Sequence, residues 1–330
     1  MAEPPLRGWG LRHEPGTWSP SPASGSGFAG PEPTVSRPKA VRILGEEAPL
    51  PRPIASGLVL LLAIDVGNTQ TVVGLYDLEP AASANLERRL ADSNLIDHWR
   101  IATNAERTAD EHALVLQEFL GFHGSTWDDN DIQGIAVCSS VPRVTGALRR
   151  MSERYFGFPS LVVEPGVRTG LPVLYDNPKE VGADRIADAV GAFDLFGGPT
   201  IVIDFGTATT FEAISEKGEY LGGAIFPGID ISLDALFARA AALRRVELVE
   251  PRSVIGRSTV ESIQSGVIHG YTCLVDGMCE RISTELDAET TVVATGGLSG
   301  LIGPLSSAID HVEPWLTLHG LRLIYEKNAG

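Results

Sequence analysis

The sequence predicts an α/β protein built from two similar domains, and three observations lead there. A strand-turn-strand pattern occurs twice, 139 residues apart. Helix-capping signals alternate with apolar strand runs between and after the two copies. A Pro/Gly-rich stretch, residues 1–57, stands apart from everything that follows.

The repeat comes first. Leu61–Tyr76 (LLAIDVGNTQTVVGLY) and Thr200–Ala213 (TIVIDFGTATTFEA) share one plan: a buried apolar strand, Asp-x-Gly, hydroxyl residues, then a second strand. The same offset aligns Asp65 with Asp204, Gly67 with Gly206 and Thr71 with Thr210. So long a period excludes a solenoid and implies two related domains. Each copy reads as a β-hairpin with an Asp ending its first strand and a Gly opening its turn. Backbone amides and hydroxyls of Gly67, Asn68, Thr69 and Thr71 can surround phosphate oxygens, and Asp65 can hold a hydrated Mg²⁺. A single such turn is equally good hairpin chemistry; its duplication behind two buried strands points to a ligand.

The remaining elements follow in chain order. Thr108-Ala109-Asp110-Glu111 is a capping box that starts a helix through Leu120. Asn177-Pro178-Lys179-Glu180 supplies a cap, a first-turn proline and an acid, predicting a helix to about Phe196 with Asp184 and Arg185 in its second turn. From spacing alone that pair is also readable as a solvated ion pair. Ser258-Thr259-Val260-Glu261 opens a helix to about Leu286, in which Gly266, Gly270 and Gly277 imply close approach of another backbone. Thr291–Ala294 is a strand, and Gly296-Gly297 a turn after it. Arg143, following Val141-Pro142, has no assignment.

Composition limits the function. The 330 residues are 43% hydrophobic and 21% charged, enough for two core-bearing domains. Lys+Arg total 26 against 42 Asp+Glu, a net charge of −16, which argues against affinity based on wrapping nucleic acid or an anionic membrane. Residues 1–57 hold 11 of the 22 prolines and 8 of the 36 glycines and read as disordered. Six Lys/Arg and five Asp/Glu there leave 20 against 37 on residues 58–330, so the acidity belongs to the folded part. The apolar run Leu58–Ile64 is too short for a membrane span, and the expected location is the cytoplasm. Cys138, Cys273 and Cys279 form no C-x-x-C pair, consistent with a reducing compartment. Two nucleotide-site look-alikes fail on context. Gly25–Gly30 matches G-x-G-x-x-G without a strand before it, and Asp204-Phe205-Gly206 lacks the kinase catalytic loop. Lysine occurs only at 39, 179, 217 and 327, none of them in a P-loop.

The ordered set Asp65–Thr69, Gly182-Ala183-Asp184-Arg185, Asp204–Thr210, Gly222–Gly228, Gln264-Ser265-Gly266 and Ala294–Gly297 resembles type III pantothenate kinase, within the actin, sugar-kinase and chaperone ATPase superfamily. The resemblance covers essentially all of residues 58–330. It implies two ribonuclease-H-like domains, 58–178 and 179–330, with an ATP cleft between them, and phosphorylation of pantothenate to 4′-phosphopantothenate, the first step towards coenzyme A. It assigns ATP to Asp65, Val66, Gly67, Asn68, Thr69, Gln70, Thr71, Val72 and Thr207, and pantothenate to Tyr175, Gly182, Ala183, Asp184, Arg185 and, across a homodimer interface, Thr259. Asp184 is then the base and Arg185 the ligand of the substrate carboxylate. Asp65 would hold Mg²⁺ through water, and Asp204 a monovalent cation, K⁺ or NH₄⁺. Gln70 departs from the small polar residue expected at its position. A transcriptional activator of the same fold and a kinase for another small alcohol are the alternatives. Because such kinases commonly begin at the strand that here is Leu60–Asp65, translation is expected to start near Val59 through a non-ATG codon, which mass spectrometry of the native N-terminus would test.

Overall fold

In the computed structural model, the described residues are 42–43, 58–78, 94–124, 132–240 and 242–329. The expected disordered extension 1–57 therefore lies outside them, apart from the backbone of β1 (Arg42–Ile43).

Two mixed sheets carry the chain. The first takes β2 (Leu60–Val66), β3 (Gln70–Asp77), β4 (Leu95–Ala102), β5 (Ile132–Ser139) and β6 (Leu161–Val162), in the order β4-β3-β2-β5-β6. The second takes β7 (Thr200–Phe205), β8 (Ala208–Ile214), β9 (Tyr220–Pro227), β10 (Thr291–Thr295) and β11 (His311–Val312), in the order β9-β8-β7-β10-β11-β1. In each, three antiparallel strands are followed by parallel ones, so β7–β11 repeat β2–β6 strand for strand, and β1 adds a sixth strand beyond β11. The duplicated α/β architecture expected from the sequence is present.

Register refines the repeat. Asp65 pairs with Val72 and Val66 with Thr71, whereas Asp204 pairs with Thr210 and Phe205 with Thr209. The first turn is one residue longer, so the structural counterpart of Thr71 is Thr209, not the Thr210 that a gapless alignment selects.

Helices α1 (Ala109–Gly121) and α2 (Pro142–Met151) cover the outer face of the first sheet. Helices α4 (Ile229–Arg239) and α5 (Thr259–Leu286) cover that of the second, with the short α6 (Ser299–Ile302) beside them. Between the sheets lie α3 (Ala183–Phe196) and α7 (Leu316–Asn328). Alternation along the strands divides the core accordingly. Leu60, Leu62, Ile64 and Val66 face α1 and α2, while Leu61 and Ala63 join Val202, Ile214 and the buried faces of α3 and α7. Asp65 and Asp204 continue the second series on their strands and so face the same interior.

The two capping boxes form to different extents. Thr108 and Glu111 make the reciprocal box at α1. At α5 only half does: Ser258 Oγ accepts from the Glu261 amide at 3.2 Å, but the Glu261 carboxylate reaches the Arg257 amide instead of that of Ser258. The helix expected from Asn177 is corrected. Pro178–Glu180 makes one 3-10 turn, Val181 is extended and buried, and α3 starts at Ala183 with Gly182 as its cap. Anchoring Val181 in the core interrupts the helix, which moves Asp184 and Arg185 from a second turn into the first.

The contact of α3 with α7 has almost no spare volume. A Cβ built on Gly320 would stand 1.9 Å from the Ala187 carbonyl oxygen, and one on Gly191 2.8 Å from that of Leu316. A methyl facing backbone cannot be relieved by a rotamer change. Gly320→Ala should therefore destabilise the chain by about 1–3 kcal/mol in urea unfolding, reversing the gain of roughly 1 kcal/mol that helix propensity alone would give.

Candidate functional site

The two hairpin turns meet tip to tip. Thr69 Oγ1 and Thr207 Oγ1 are 3.2 Å apart, both on exposed residues, and they join the first sheet to the second. The first turn is closed by the Gly67 amide on the Gln70 carbonyl at 3.0 Å, the second by Gly206 on Ala208 at 3.0 Å. Thr103, which the sequence reading missed, braces the first turn: its hydroxyl donates to the Gly67 carbonyl at 2.7 Å and lies 2.8 Å from Thr71 Oγ1. Thr71 is thus buried in the support of the turn, and Val66 turns its side chain into the core while its carbonyl accepts from Ser140. Asn68, Thr69 and Gln70 are exposed at the tip, and Val72 is half-buried in β3 behind it.

Below the tips, carboxylates converge. Asp65 and Asp204 leave neighbouring ends of β2 and β7, and Asp184 and Asp188 extend from successive turns of α3, with Asp188 buried. Burial and then the charge of Asp184 push Asp65 up to about 6, against a hydrogen bond from the Cys138 thiol at 3.1 Å. Burial, Asp65, Asp184 and Glu212 push Asp204 up to about 8. Burial and Asp204 raise Asp188 well above the carboxylate range, partly offset by the Thr317 hydroxyl at 2.6 Å. Removing carboxylates from water disfavours their charge, and mutual repulsion adds to that.

Gly182 shapes the position of Asp184. The carboxylate folds back so that Oδ1 accepts from the Arg185 amide at 2.9 Å, and a Cβ on Gly182 would meet that oxygen at 2.3 Å. Asp184 Oδ2 makes no hydrogen bond among the described residues. Ala183, the first residue of α3, lies between them, half-buried.

Arg185 has a partner the sequence reading did not identify. Its Nε donates to Glu212 Oε1 at 2.8 Å and its Nη2 lies 2.8 Å from Oε2; the Tyr220 hydroxyl donates to Oε2 at 2.6 Å. Glu212 is fully buried. One edge of the guanidinium is therefore committed, and the Nη1–Nη2 edge remains for a second carboxylate. Tyr175 is brought to this group: the segment before it bridges β9 through Val173 and Tyr220, its ring centroid is 6.3 Å from that of Tyr220, and it packs over Gly222. Thr259 is not. It stands exposed in the first turn of α5 and forms no hydrogen bond to α3 among the described residues.

Gly296, at φ +87°, packs against Asp204, whose Oδ1 would lie 2.3 Å from an added Cβ, and against the backbone of Phe205. This contact explains the first glycine after β10. A separate groove of about 880 Å³ lies between the starts of α1 and α2, where Arg143 pairs with Glu106 and Arg154 with Asp110; it contains none of the expected site residues.

The donor set suits hard cations bound with few protein ligands. Asp65 and Asp204 supply oxygen, Thr210, paired with Asp204 on the same face of the sheet, has a buried Oγ1 without a hydrogen-bond partner, and no three acidic, His or Cys side chains among the described residues cluster closely enough to enclose a metal. An ion held here must complete its coordination from water or a bound anion, the habit of Mg²⁺ beside phosphates.

A family model described as type III pantothenate kinase matches residues 61–281. Proteins called type III pantothenate kinase are similar over most of their length. That of Streptomyces griseus is 53% identical over 277 residues, covering 82% of this chain and 99% of that protein. That of Streptomyces coelicolor is 52% identical, covering 82% and 99%. That of Moorella thermoacetica is 50% identical, covering 82% and 100%.

The carboxylate cluster makes the ligand-free chain pH-sensitive. A carboxyl raised on folding is protonated longer in the native state, so its contribution declines as pH rises from the unfolded value of 3.8 to about 8. Asp204→Asn should be more stable than the parent in urea unfolding without ligand, the gap widening across that window by at most about 1.4 kcal/mol per pH unit and flattening above it.

Proposed function

The chain belongs to the type III pantothenate kinase family, and from that membership we propose that it transfers the γ-phosphoryl group of ATP to the primary hydroxyl of pantothenate, giving 4′-phosphopantothenate and ADP. The observation that carries this reading is the convergence of two Asp-bearing hairpin turns on the Asp184–Arg185 end of α3. The turns suit a polyphosphate, the helix start suits an alcohol that carries a carboxylate, and both share one interior.

In this reading Arg185 binds the pantothenate carboxylate through its Nη1–Nη2 edge, held in plane by Glu212 and Tyr220, while Tyr175 and the Gly182–Ala183 backbone border the substrate. Asp184 Oδ2 accepts the hydroxyl proton. An alcohol with a pKa near that of water, roughly 16, cannot be fully deprotonated beforehand by a carboxylate of ordinary pKa, about 4, because the step would cost on the order of 16 kcal/mol. The proton leaves late, as oxygen bonds to phosphorus in a loose transition state, and Asp184 serves mainly to orient the hydroxyl. Asp65 would hold hydrated Mg²⁺ and Asp204, with the unpartnered Thr210 hydroxyl, a monovalent cation; such ions neutralise phosphate charge and restore both acids to their ionised form.

We also propose a homodimer. On α5, Thr259, Gly266, Gly270, Cys273 and Gly277 fall on one helical face opposite the buried one, and nothing within 4 Å would meet a Cβ on any of the three glycines. Beside the start of α5, where the Val254 carbonyl accepts from the Ser265 hydroxyl, Val254 and Ile255 are 68 and 79% exposed. A second copy covering this surface would account for both features and carry Thr259 to its neighbour's substrate.

The decisive measurement is ADP release with Mg²⁺, K⁺ and pantothenate, against other alcohols as acceptors; no pantothenate-dependent ADP would reject the reading. Asp184→Asn should lower kcat by about 10²–10⁴-fold while ATP affinity stays close to that of the parent. Gly270→Leu should leave circular dichroism unchanged, convert the dimer to monomer in light scattering and raise KM for pantothenate; a Gly270→Leu dimer would exclude this interface.

A further inference from the structure

Five carboxylates surround the interior described above, and the one arginine among the expected site residues, Arg185, has one edge bound to Glu212. A chain with this balance must still hold an anionic polyphosphate. Arg100, on β4 opposite Val72 of β3, is a second cation at the same place. Its Nη1 donates to the side-chain carbonyl of Gln70 at 2.8 Å, at the end of the first hairpin turn. The same nitrogen lies 3.4 Å from a Cβ built on Gly297, in the turn after β10 of the other sheet. The guanidinium thus spans the mouth between Gln70 and Gly297, and its charge lowers the proton affinity of both Asp65 and Asp204. Its hydrogen-bond partner is a neutral amide, the residue is exposed, and it forms no ion pair among the described residues.

We propose that Arg100 binds the polyphosphate of the nucleotide, and that Gln70 keeps its guanidinium at the mouth until the phosphates arrive. The inference rests on the phosphotransferase reading. Exchanging a neutral acceptor for phosphate replaces a single hydrogen bond with one ionised partner by a bidentate ion pair, so the change favours the loaded state. It also gives Gln70 a purpose: an amide long enough to reach Arg100 stands where a smaller polar residue was expected.

The test is equilibrium binding of MgATP, MgADP and adenosine to the full chain and to Arg100→Ala and Arg100→Lys, together with steady-state kinetics. Arg100→Ala should weaken ATP and ADP by about 10- to 100-fold, the effect of losing one charged hydrogen-bonding group, and leave adenosine affinity and KM for pantothenate unchanged. Arg100→Lys should recover part of the loss, since it restores the charge without the fork. Unchanged ATP affinity in Arg100→Ala would overturn the proposal. So would an equal loss for adenosine, which would make Arg100 a clamp between the sheets. A parent chain that binds no ATP would remove the phosphotransferase reading and this inference with it, whereas a parent that turns over beside an unaffected Arg100→Ala would remove this inference alone.

Discussion

Like-charge crowding is the constraint on which the rest of this structure depends. Alternation along β2 and β7 turns Asp65 and Asp204 towards the same interior that receives Asp184 and Asp188 from α3 and Glu212 from β8. Without counter-charge such a group could not remain ionised, and the raised proton affinities of Asp65, Asp188 and Asp204 express that. Only Glu212 is fully answered, by Arg185 and Tyr220. The others are left for cations and a ligand to balance, so the region is held short of its own electrostatic optimum. This is the familiar exchange of stability for function at a site.

The rigid parts lie immediately behind the strained ones. The Thr71–Thr103 pair and the Thr103 contact to the Gly67 carbonyl hold the first turn, and the buried Arg185–Glu212–Tyr220 group holds the start of α3. A buried ion pair of this kind adds little net stability, since desolvation offsets most of its attraction. What it supplies is orientation: a guanidinium whose plane is set before a ligand arrives loses less entropy on binding.

Much of this was legible in the sequence. The repeated hairpin was visible because Asp-x-Gly behind a buried strand is a local pattern, and the long helix α5 announced itself through its cap. Period-2 alternation already implied that Asp65 and Asp204 share a face with their strands' inner residues. What escaped was set by partners distant in the chain. Glu212 belonged to no motif, though an acid between Phe211 and Ala213 in a buried run was itself a signal. Asp188, four residues after Asp184, fell on the same helical face and could have been noted. Arg100 carried no motif, and its importance arises only when β4 is laid beside β3. The interruption at Val181 was equally illegible, because capping residues mark where a helix can start but not whether the next apolar side chain will be drawn into the core.

The placement of α7 affects how the protein is made. This helix supplies Leu318 beneath Gly74 of the first sheet and Tyr325 over Gly134, with the Tyr325 hydroxyl donating to the Gln133 carbonyl at 2.9 Å. Yet it follows the whole second sheet, more than 150 residues after β6. While a ribosome is still synthesising the second sheet, the inner face of the first has α3 but not α7 to cover it, and the part around Gly74 and Gly134 that Leu318 and Tyr325 will close remains open to solvent or to any chaperone that binds apolar sheet. The early half of the molecule is therefore completed from the far end, and any premature stop that removes residues 316–328 injures the sheet that was translated first.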